Sequence, residues 1–219
     1  MTDEDSDTPI DETVRLPAAG ALLEGRLQVP AAASGIVLFA HGSGSSRHSP
    51  RNRYVAGVLQ ACGVGTLLVD LLTAEEDRVR ENRFDIGLLS RRLGEAADGL
   101  RTLARCAGLP LGLFGASTGA ASALRLAADP AAGIAAVVSR GGRPDLAGVP
   151  ALRAVRAPVL LIVGGLDEEV LELNRAAWAE LRCERRLEIV PGATHLFEEP
   201  GTLERAAALA ADWFGRHFE

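Results

Sequence analysis

The chain of 219 residues contains 47% hydrophobic and 24% charged residues, which is typical of one soluble globular domain with a sizeable core. A formal net charge of −6 and an aromatic content of 4% disfavour phosphate-backbone binding and base stacking, so we expect no nucleic-acid partner. All 23 basic residues are arginine, which excludes P-loops, Schiff-base enzymes and lysine general bases.

Three cysteines, Cys62, Cys106 and Cys183, are widely spaced, and their odd number fits neither a disulfide framework nor a zinc ribbon. This usage predicts reduced, mostly buried thiols and a cytoplasmic protein. The N-terminus lacks the segments of a signal peptide, and no uninterrupted apolar run reaches the ~18 residues of a membrane span. We therefore expect no membrane association.

The first twelve residues hold six carboxylates and no basic group, which predicts a disordered, solvated acidic tail over 1–12. Alternating residues around Pro17 and Gly20 then predict an antiparallel edge hairpin formed by 13–16 and 21–29. Short, wholly apolar runs follow, as expected for strands buried on both faces. These runs are 35–40, 64–69, 109–114, 134–138 and 159–163, with a weaker sixth at 187–190.

Helical patterns lie between the apolar runs. An apolar stripe extends from Phe84 to Leu103, and further helices are predicted over 54–62, 120–128, 169–181 and 203–214. Alternating strands and helices predict an α/β fold in three layers, with a doubly wound, mostly parallel sheet and an antiparallel N-terminal edge hairpin. We expect one domain over 13–219, with loops too short for a lid domain.

Ligands bind beyond the C-terminal ends of the strands in such a sheet, so the loops after the apolar runs carry the functional prediction. These loops contain HGSGSS at 41–46, GASTG at 115–119, SRGGR at 139–143, GGLD at 164–167 and PGATH at 191–195. The segment 115–119 is a G-x-S-x-G motif between a predicted strand and a predicted helix, the setting of a nucleophile elbow. It places Ser117 as the nucleophile, with a glycine-rich turn without catalysis as the alternative.

A serine hydroxyl needs a base, and His195 follows the last strand in a loop that can reach Ser117. Asp167 follows the fifth apolar run and completes the chain order serine, aspartate, histidine, unless it only caps the next helix. The competing histidines are His41, His48 and His217, and the competing acids are Glu168, Asp145 and Asp70.

An oxyanion hole requires two backbone N–H groups. Thr118 follows the nucleophile and supplies the first, and Ser43, after the first apolar run, is the best candidate for the second, with Gly44 next. The alternative for residues 41–46 is a flexible Gly/Ser loop.

These motifs together resemble the α/β-hydrolase superfamily and, more narrowly, its small, lidless, dienelactone-hydrolase-like branch. The resemblance rests on HGSGSS, GASTG, SRGGRPDLA, VLLIVGGLD and PGATHLF, and it covers roughly residue 13 to the end. It implies a Ser117, Asp167 and His195 triad and an oxyanion hole formed by the backbones of Ser43 and Thr118. True dienelactone hydrolases use a cysteine nucleophile, so the serine at 117 favours a general ester or thioester substrate.

Arginines on the same rim suggest the charge of the substrate. Arg140 and Arg143, with Arg47, are candidates to bind a substrate carboxylate, and His41 and Gly44 are further candidate substrate contacts. The alternative is that these arginines pair with Asp145 or other surface acids.

We therefore expect a cytoplasmic serine hydrolase of carboxylic esters, including esters of small anionic acids, that needs no metal or organic cofactor. The alternatives are a thioesterase or acyltransferase with the same triad, and a binding protein that kept the fold without catalysis. The expected partner is a small-molecule ester, and the sequence leaves a monomer or a homodimer equally open.

Overall fold

A computed structural model describes residues 8–18 and 20–218, so the first seven residues of the predicted acidic tail lie outside the described residues. Within these two described ranges, eight strands form one sheet in the order β1-β2-β4-β3-β5-β6-β7-β8. The strands are β1 (Ile10–Ala18), β2 (Ala21–Val29), β3 (Gly35–Ala40), β4 (Val64–Val69), β5 (Leu111–Ala116), β6 (Ile134–Arg140), β7 (Val159–Gly164) and β8 (Arg185–Val190).

Six α-helices lie between or after the strands in the described part of the chain. They are α1 (Pro50–Ala61), α2 (Ile86–Thr102), α3 (Thr118–Ala127), α4 (Val149–Ala154), α5 (Glu168–Glu180) and α6 (Thr202–His217). Side-chain caps mark the beginning of two helices. The Ser49 side chain accepts a hydrogen bond from the N–H of Asn52, and a proline occupies the first position of α1. The Asp85 side chain likewise accepts from Leu88 at the start of α2.

The sheet confirms the predicted fold class. Strand β1 pairs antiparallel with β2, β2 pairs antiparallel with β4, and every pair from β4 through β3 to β8 is parallel. Strand β3 lies between β4 and β5, so the strand order reverses there. The loops after β3 and β5 therefore border the crevice where doubly wound sheets bind ligands.

The two larger apolar cores of the described residues lie on opposite faces of the sheet. In β3, Ile36 and Leu38 pack in the core shared with α2 and α3, whereas Val37 and Phe39 pack in the core shared with α1 and α6. All six residues of β3 are buried, which explains why its sequence is apolar without alternation.

Element bounds differ from the prediction in identifiable places. Strand β1 begins at Ile10, so Asp11 and Glu12 belong to the hairpin and not to a tail as predicted. Helix α2 begins at Ile86, and Phe84 is an exposed residue of the preceding 3-10 turn, so it does not belong to the buried stripe. The six-residue helix α4 was not predicted.

All three cysteines are free thiols, but the prediction that they are mostly buried is wrong, because Cys106 is buried, Cys183 is partly exposed and Cys62 is exposed. Over residues 8–18 and 20–218, no helix combines the length and apolar character needed to cross a membrane. The same residues bring together no group of three or more His, Cys, Asp or Glu side chains suited to hold a metal ion.

Candidate active site

Ser117 occupies the sharp turn between β5 and α3 in a backbone conformation that L residues rarely adopt. Its φ is 51° and its ψ is −124°. The two motif glycines make this turn sterically feasible, because a Cβ on Gly115 would lie 2.7 Å from the nitrogen of Ala120, and one on Gly119 would lie 2.6 Å from the carbonyl oxygen of His41. The geometry is that of a nucleophile elbow.

Asp167 and His195 meet across the ends of β7 and β8. His195 Nδ1 lies 2.7 Å from Asp167 Oδ2, and the aspartate side chain is only 15% exposed. Asp167 stands at the N-cap position of α5, yet its side chain makes no capping hydrogen bond. The alternative that Asp167 only caps a helix is therefore not realised, and its carboxylate is turned towards the imidazole.

The end of β6 lies between Ser117 and His195. The Ser117 N–H donates to the carbonyl of Arg140, and a Cβ on Gly141 would lie 3.7 Å from Cε1 of His195. Among the described hydrogen bonds, none joins the Ser117 hydroxyl to the imidazole. Catalytic hydrogen bonds are often long in free enzymes and shorten when substrate binds, so this geometry is compatible with a serine–histidine pair.

The two candidate oxyanion donors are linked by a side chain. The Ser43 N–H donates to Thr118 Oγ1 at 2.9 Å, which places Ser43 directly beside the first residue of α3. In this structure the Ser43 N–H is therefore engaged and not free. The next loop residue, Gly44, has a φ of 71°, so the loop after β3 needs glycine at that position.

His41 holds the loop after β3 against the segment after β4. Its Nδ1 lies 3.0 Å from the carbonyl oxygen of Gly42, and its Nε2 accepts from the N–H of Leu71 at 3.3 Å. Both ring nitrogens are thus occupied by main-chain groups. This arrangement favours a structural role for His41 over the predicted substrate contact.

The arginines predicted to bind a substrate carboxylate have other surroundings in the structure. Arg47 pairs with Asp70 and with Glu24, and Arg143 makes a two-pronged pair with Asp145 at 2.9 and 2.8 Å. Both arginines thus pair with acids of the protein, which was the alternative to substrate binding. Arg140 is only 7% exposed and lies inside the protein.

A cleft of about 390 Å³ lies beside this site. It includes His41 and Leu72 in its walls, and these two residues also border a narrow cleft at Ser43 and Thr118. Three carboxylates but only one arginine line the larger cleft. They are Glu24, Asp70, Asp77 and Arg47.

Arg83 is a site residue that the sequence reasoning missed. Its Nε donates to the Asp77 carbonyl and its Nη2 to the Asp77 carboxylate, and a Cβ on Gly44 would lie 3.8 Å from its Nη1. Arg83 therefore lies over the loop that carries Ser43. It belongs to a 3-10 turn whose sequence has no apolar period, so no pattern pointed to it.

The fold and the elbow define this protein as an α/β-hydrolase. A dienelactone hydrolase from Anabaena variabilis shares 52% sequence identity, superposes with a TM-score of 0.93, and the match covers 96% of this chain and 99% of that one. The chain therefore belongs to the dienelactone-hydrolase-like branch of the α/β-hydrolase superfamily, as the motifs predicted.

More distant solved structures share the fold. Est1E from Butyrivibrio proteoclasticus is 17% identical with a TM-score of 0.79, covering 94% of this chain and 98% of that chain. An α/β serine hydrolase without a lid from Xanthomonas campestris is 20% identical with a TM-score of 0.76, covering 94% of each chain. No family model matches the sequence.

Curated relatives carry a different name. Two proteins from strains of Mycobacterium tuberculosis, provisionally named as phosphoribosyl transferases, are 58% identical over 216 residues. The match covers 98% of this chain and 48% of each relative. This chain therefore spans about half the length of those proteins.

Proposed function

We propose that this protein is a serine hydrolase of small carboxylic esters, with Ser117 as nucleophile, His195 as base and Asp167 as the acid that orients the base. The observation that carries the proposal is the 2.7 Å contact between Asp167 and His195 beside a serine held at a φ of 51°. The strained turn exposes a hydroxyl at the edge of the sheet, and the carboxylate fixes the histidine tautomer that can accept its proton.

The reaction proceeds in two halves. Ser117 Oγ attacks the ester carbonyl carbon while Nε2 of His195 takes the hydroxyl proton, and the resulting tetrahedral adduct collapses when His195 returns that proton to the leaving alcohol. In the second half His195 removes a proton from water, which attacks the acyl-enzyme. Collapse of the second adduct releases the acid and gives the proton back to Ser117. Asp167 stabilises the transient imidazolium throughout.

The N–H groups of Thr118 and Ser43 are the proposed oxyanion donors. Thr118 begins α3, so its N–H belongs to the helix terminus that favours negative charge. The Ser43 N–H donates to Thr118 Oγ1 in the free protein, so a substrate oxyanion must share or replace this acceptor. The free and reacting states therefore differ in the group that accepts a hydrogen bond from the Ser43 N–H.

The charges around the cleft favour neutral esters over anionic ones. Arg47 and Arg143, which would hold a substrate carboxylate, already pair with carboxylates of the protein. Asp77, the remaining acid of the cleft wall, likewise pairs with Arg83, so the cleft offers no unpaired arginine to a substrate carboxylate among the described residues. We therefore place short, uncharged acyl groups first among the substrates, and esters of anionic acids second.

The name of the longer relatives does not by itself assign an activity to this chain. Their unmatched half is as long as the matched half, and the name describes the whole protein. A phosphoribosyl transfer by this half would not depend on Ser117, so the variant Ser117→Ala separates the two functions.

The test is an esterase panel in which acyl length and acyl charge vary, run on the wild type and on Ser117→Ala. We expect turnover of short neutral p-nitrophenyl esters to fall at least ~10³-fold in Ser117→Ala. The matched control is Ser90→Ala, because Ser90 only donates to the Ile86 carbonyl within α2. Full activity in Ser117→Ala would remove Ser117 from this role, and preference for acyl-CoA would establish the thioesterase alternative.

We also propose that the protein works in a reducing compartment and that its partner is a small molecule. The three cysteines are free thiols. Burial raises the pKa of the Cys106 thiol to about 11, so this thiol stays protonated and inert at neutral pH.

A further inference from the structure

The loop that carries His195, here called the histidine loop (residues 191–201), rests on a buried arginine. Arg140 ends β6, and its guanidinium carbon lies 5.9 Å from the ring centroid of Phe197 in this loop and 5.9 Å from that of Phe114 in β5. Both distances are within the ~6 Å range of cation–π attraction. One arginine therefore joins the central sheet to the histidine loop.

The guanidinium has no carboxylate partner among the described residues. Its Nη2 donates to Asn52 Oδ1 at 3.3 Å, and its buried Nη1 has no hydrogen-bond partner in the part of the chain that the structure describes. Burial, with a smaller contribution from Arg51, lowers the pKa of Arg140 to about 10, so the side chain still carries its charge at neutral pH. A buried cation without an anion is costly and calls for a specific role.

The histidine loop is strained at the residue that contacts this cation. Phe197 has a φ of 56°, a region that bulky residues avoid, and it is only 1% exposed. The next residue, Glu198, forms an ion pair with Arg51 of α1 at 2.9 Å. Both loop contacts lie two or three positions after His195, so they hold the backbone close to the imidazole.

Direct contact with substrate is not available to this side chain. Arg140 is 7% exposed and its Nη1 is closed to solvent. Its effect must therefore pass through Phe197 and the backbone of the loop. The neighbouring Gly141 reinforces this link, since a Cβ there would lie 3.5 Å from Cε2 of Phe197 and 3.1 Å from the His195 carbonyl oxygen.

We propose that Arg140 is a positioning residue that holds Phe197 in its strained conformation and thereby keeps the His195 imidazole aligned with Ser117. The proposal rests on the proposed hydrolase function. A hydrophobic side chain would fill the same volume, but only a cation attracts two ring faces and donates to Asn52 as well. The arginine thus fixes one arrangement of the loop among several that apolar packing alone would allow.

The test compares Arg140→Met, which keeps length but removes charge and donors, with Arg140→Lys, which keeps the charge. The matched control is Arg185→Met, because Arg185 also has a buried, unpartnered Nε and lies 4.5 Å from the Trp178 ring. Arg185 begins β8, at the end of the strand remote from His195. The readouts are the rate of Ser117 labelling by a fluorophosphonate, kcat and KM for a short p-nitrophenyl ester, and amide hydrogen exchange over 193–198.

We expect Arg140→Met to slow labelling and lower kcat about 10-fold to 100-fold, with little change in KM, and to speed exchange over 193–198. Arg140→Lys should recover most of the loss, whereas Arg185→Met should lower only the thermal midpoint. Wild-type labelling and exchange in Arg140→Met would overturn the proposal, as would equal losses in the Met and Lys variants.

Two further experiments distinguish failure of this proposal from misfolding of a variant and from failure of the proposed function. If Arg140→Met fails to fold, Phe197→Leu removes the ring from the guanidinium without adding a new backbone demand, and the same expectations apply to it. If the wild type itself is not labelled, the proposed function fails, and hydrogen exchange over 193–198 alone decides whether Arg140 orders the loop.

Discussion

The backbone of Ser117 shows how closely the elbow depends on its neighbours. Helix α3 begins against the end of β3, and a Cβ on Gly119 would lie 2.6 Å from the carbonyl carbon of Ala40. Backbone atoms cannot move aside as a side-chain end can. The close approach of α3 to β3 therefore requires glycine at position 119, in addition to Gly115 at the end of β5.

Gly119→Ala should destabilise the protein by more than about 3 kcal/mol, because the helix must move away from β3. Gly57→Ala is the matched control: a methyl group added at Gly57 in α1 would have no atom within 4 Å, so alanine should add about 0.5–1 kcal/mol of stability. Urea unfolding of both variants provides the measurement. Equal stabilities would show that the tight approach of α3 to β3 is not required.

The Thr118 hydroxyl should affect kcat indirectly, because it holds the loop that carries Ser43. Thr118→Val keeps the shape and removes the acceptor of the Ser43 N–H, so the loop after β3 loses its link to α3. We expect kcat to fall about tenfold with KM nearly unchanged, and Thr118→Ser to restore it. An increase in kcat for Thr118→Val would contradict this expectation and would mean that release of the Ser43 N–H for the oxyanion outweighs the lost link between the loop and α3.

At the scale of elements, an ion pair between a buried arginine and a partly exposed glutamate anchors the segment between β4 and α2, which includes Arg83. Arg92 of α2 is 2% exposed, donates to the Leu71 carbonyl at 2.9 Å and pairs with Glu76 through both carboxylate oxygens. The hydrogen bonds from Arg92 lower the pKa of Glu76 from 4.5 to about 2. The charged carboxylate therefore stabilises the fold.

Glu76→Gln should cost about 2 kcal/mol at pH 7, since the Arg92 guanidinium stays buried without its counter-ion. The pKa of Glu76 is lower in the folded chain, so its contribution is complete above about pH 5 and is lost as the pH falls from 4.5 towards 2. Urea titrations of wild type and variant at pH 7 and pH 3 should show this difference shrinking. The exposed Glu172→Gln should have almost no effect at either pH.

Strands buried on both faces were the most predictable elements. Strands β3 and β4 match their apolar runs residue for residue, because every position is covered by a helix layer. Strand β6 continues beyond its apolar run through Ser139 and Arg140, since both are buried although polar. Hydrophobicity alone does not mark such positions.

The chain order of the candidate site was predictable, and several of its supporting contacts were not. Loops at the ends of parallel strands meet at one edge, so the pairing of Asp167 with His195 follows from topology. The burial of Arg140 and the bond from Ser43 to the Thr118 hydroxyl depend on side-chain direction across distant elements. The spacing of apolar residues along the sequence does not indicate the direction in which these polar side chains point.

At the scale of the whole molecule, one sheet separates two cores that share every central strand. Trp213 of α6 lies in the core with α1, whereas α2 and α3 cover the other face. Because both cores include residues of β3 and β5, unfolding of one core exposes strands that the other core also packs against. Unfolding of the core on one face of the sheet should therefore cause the core on the other face to unfold.

This coupling predicts a single unfolding transition. In Trp178→Phe, which leaves Trp213 as the only tryptophan, the fluorescence transition should coincide with the far-UV circular dichroism transition. Separate midpoints would show that the α1–α6 face unfolds independently of the rest.

The central claim is that Ser117 carries the acyl group during turnover. Rapid acid quenching of the protein with p-nitrophenyl acetate, followed by peptide mass spectrometry, tests it most directly. We predict an acetyl group on the peptide that contains Ser117 and no such adduct in Ser117→Ala. Acetylation confined to another residue, or ester hydrolysis that proceeds unchanged in Ser117→Ala, would contradict the account.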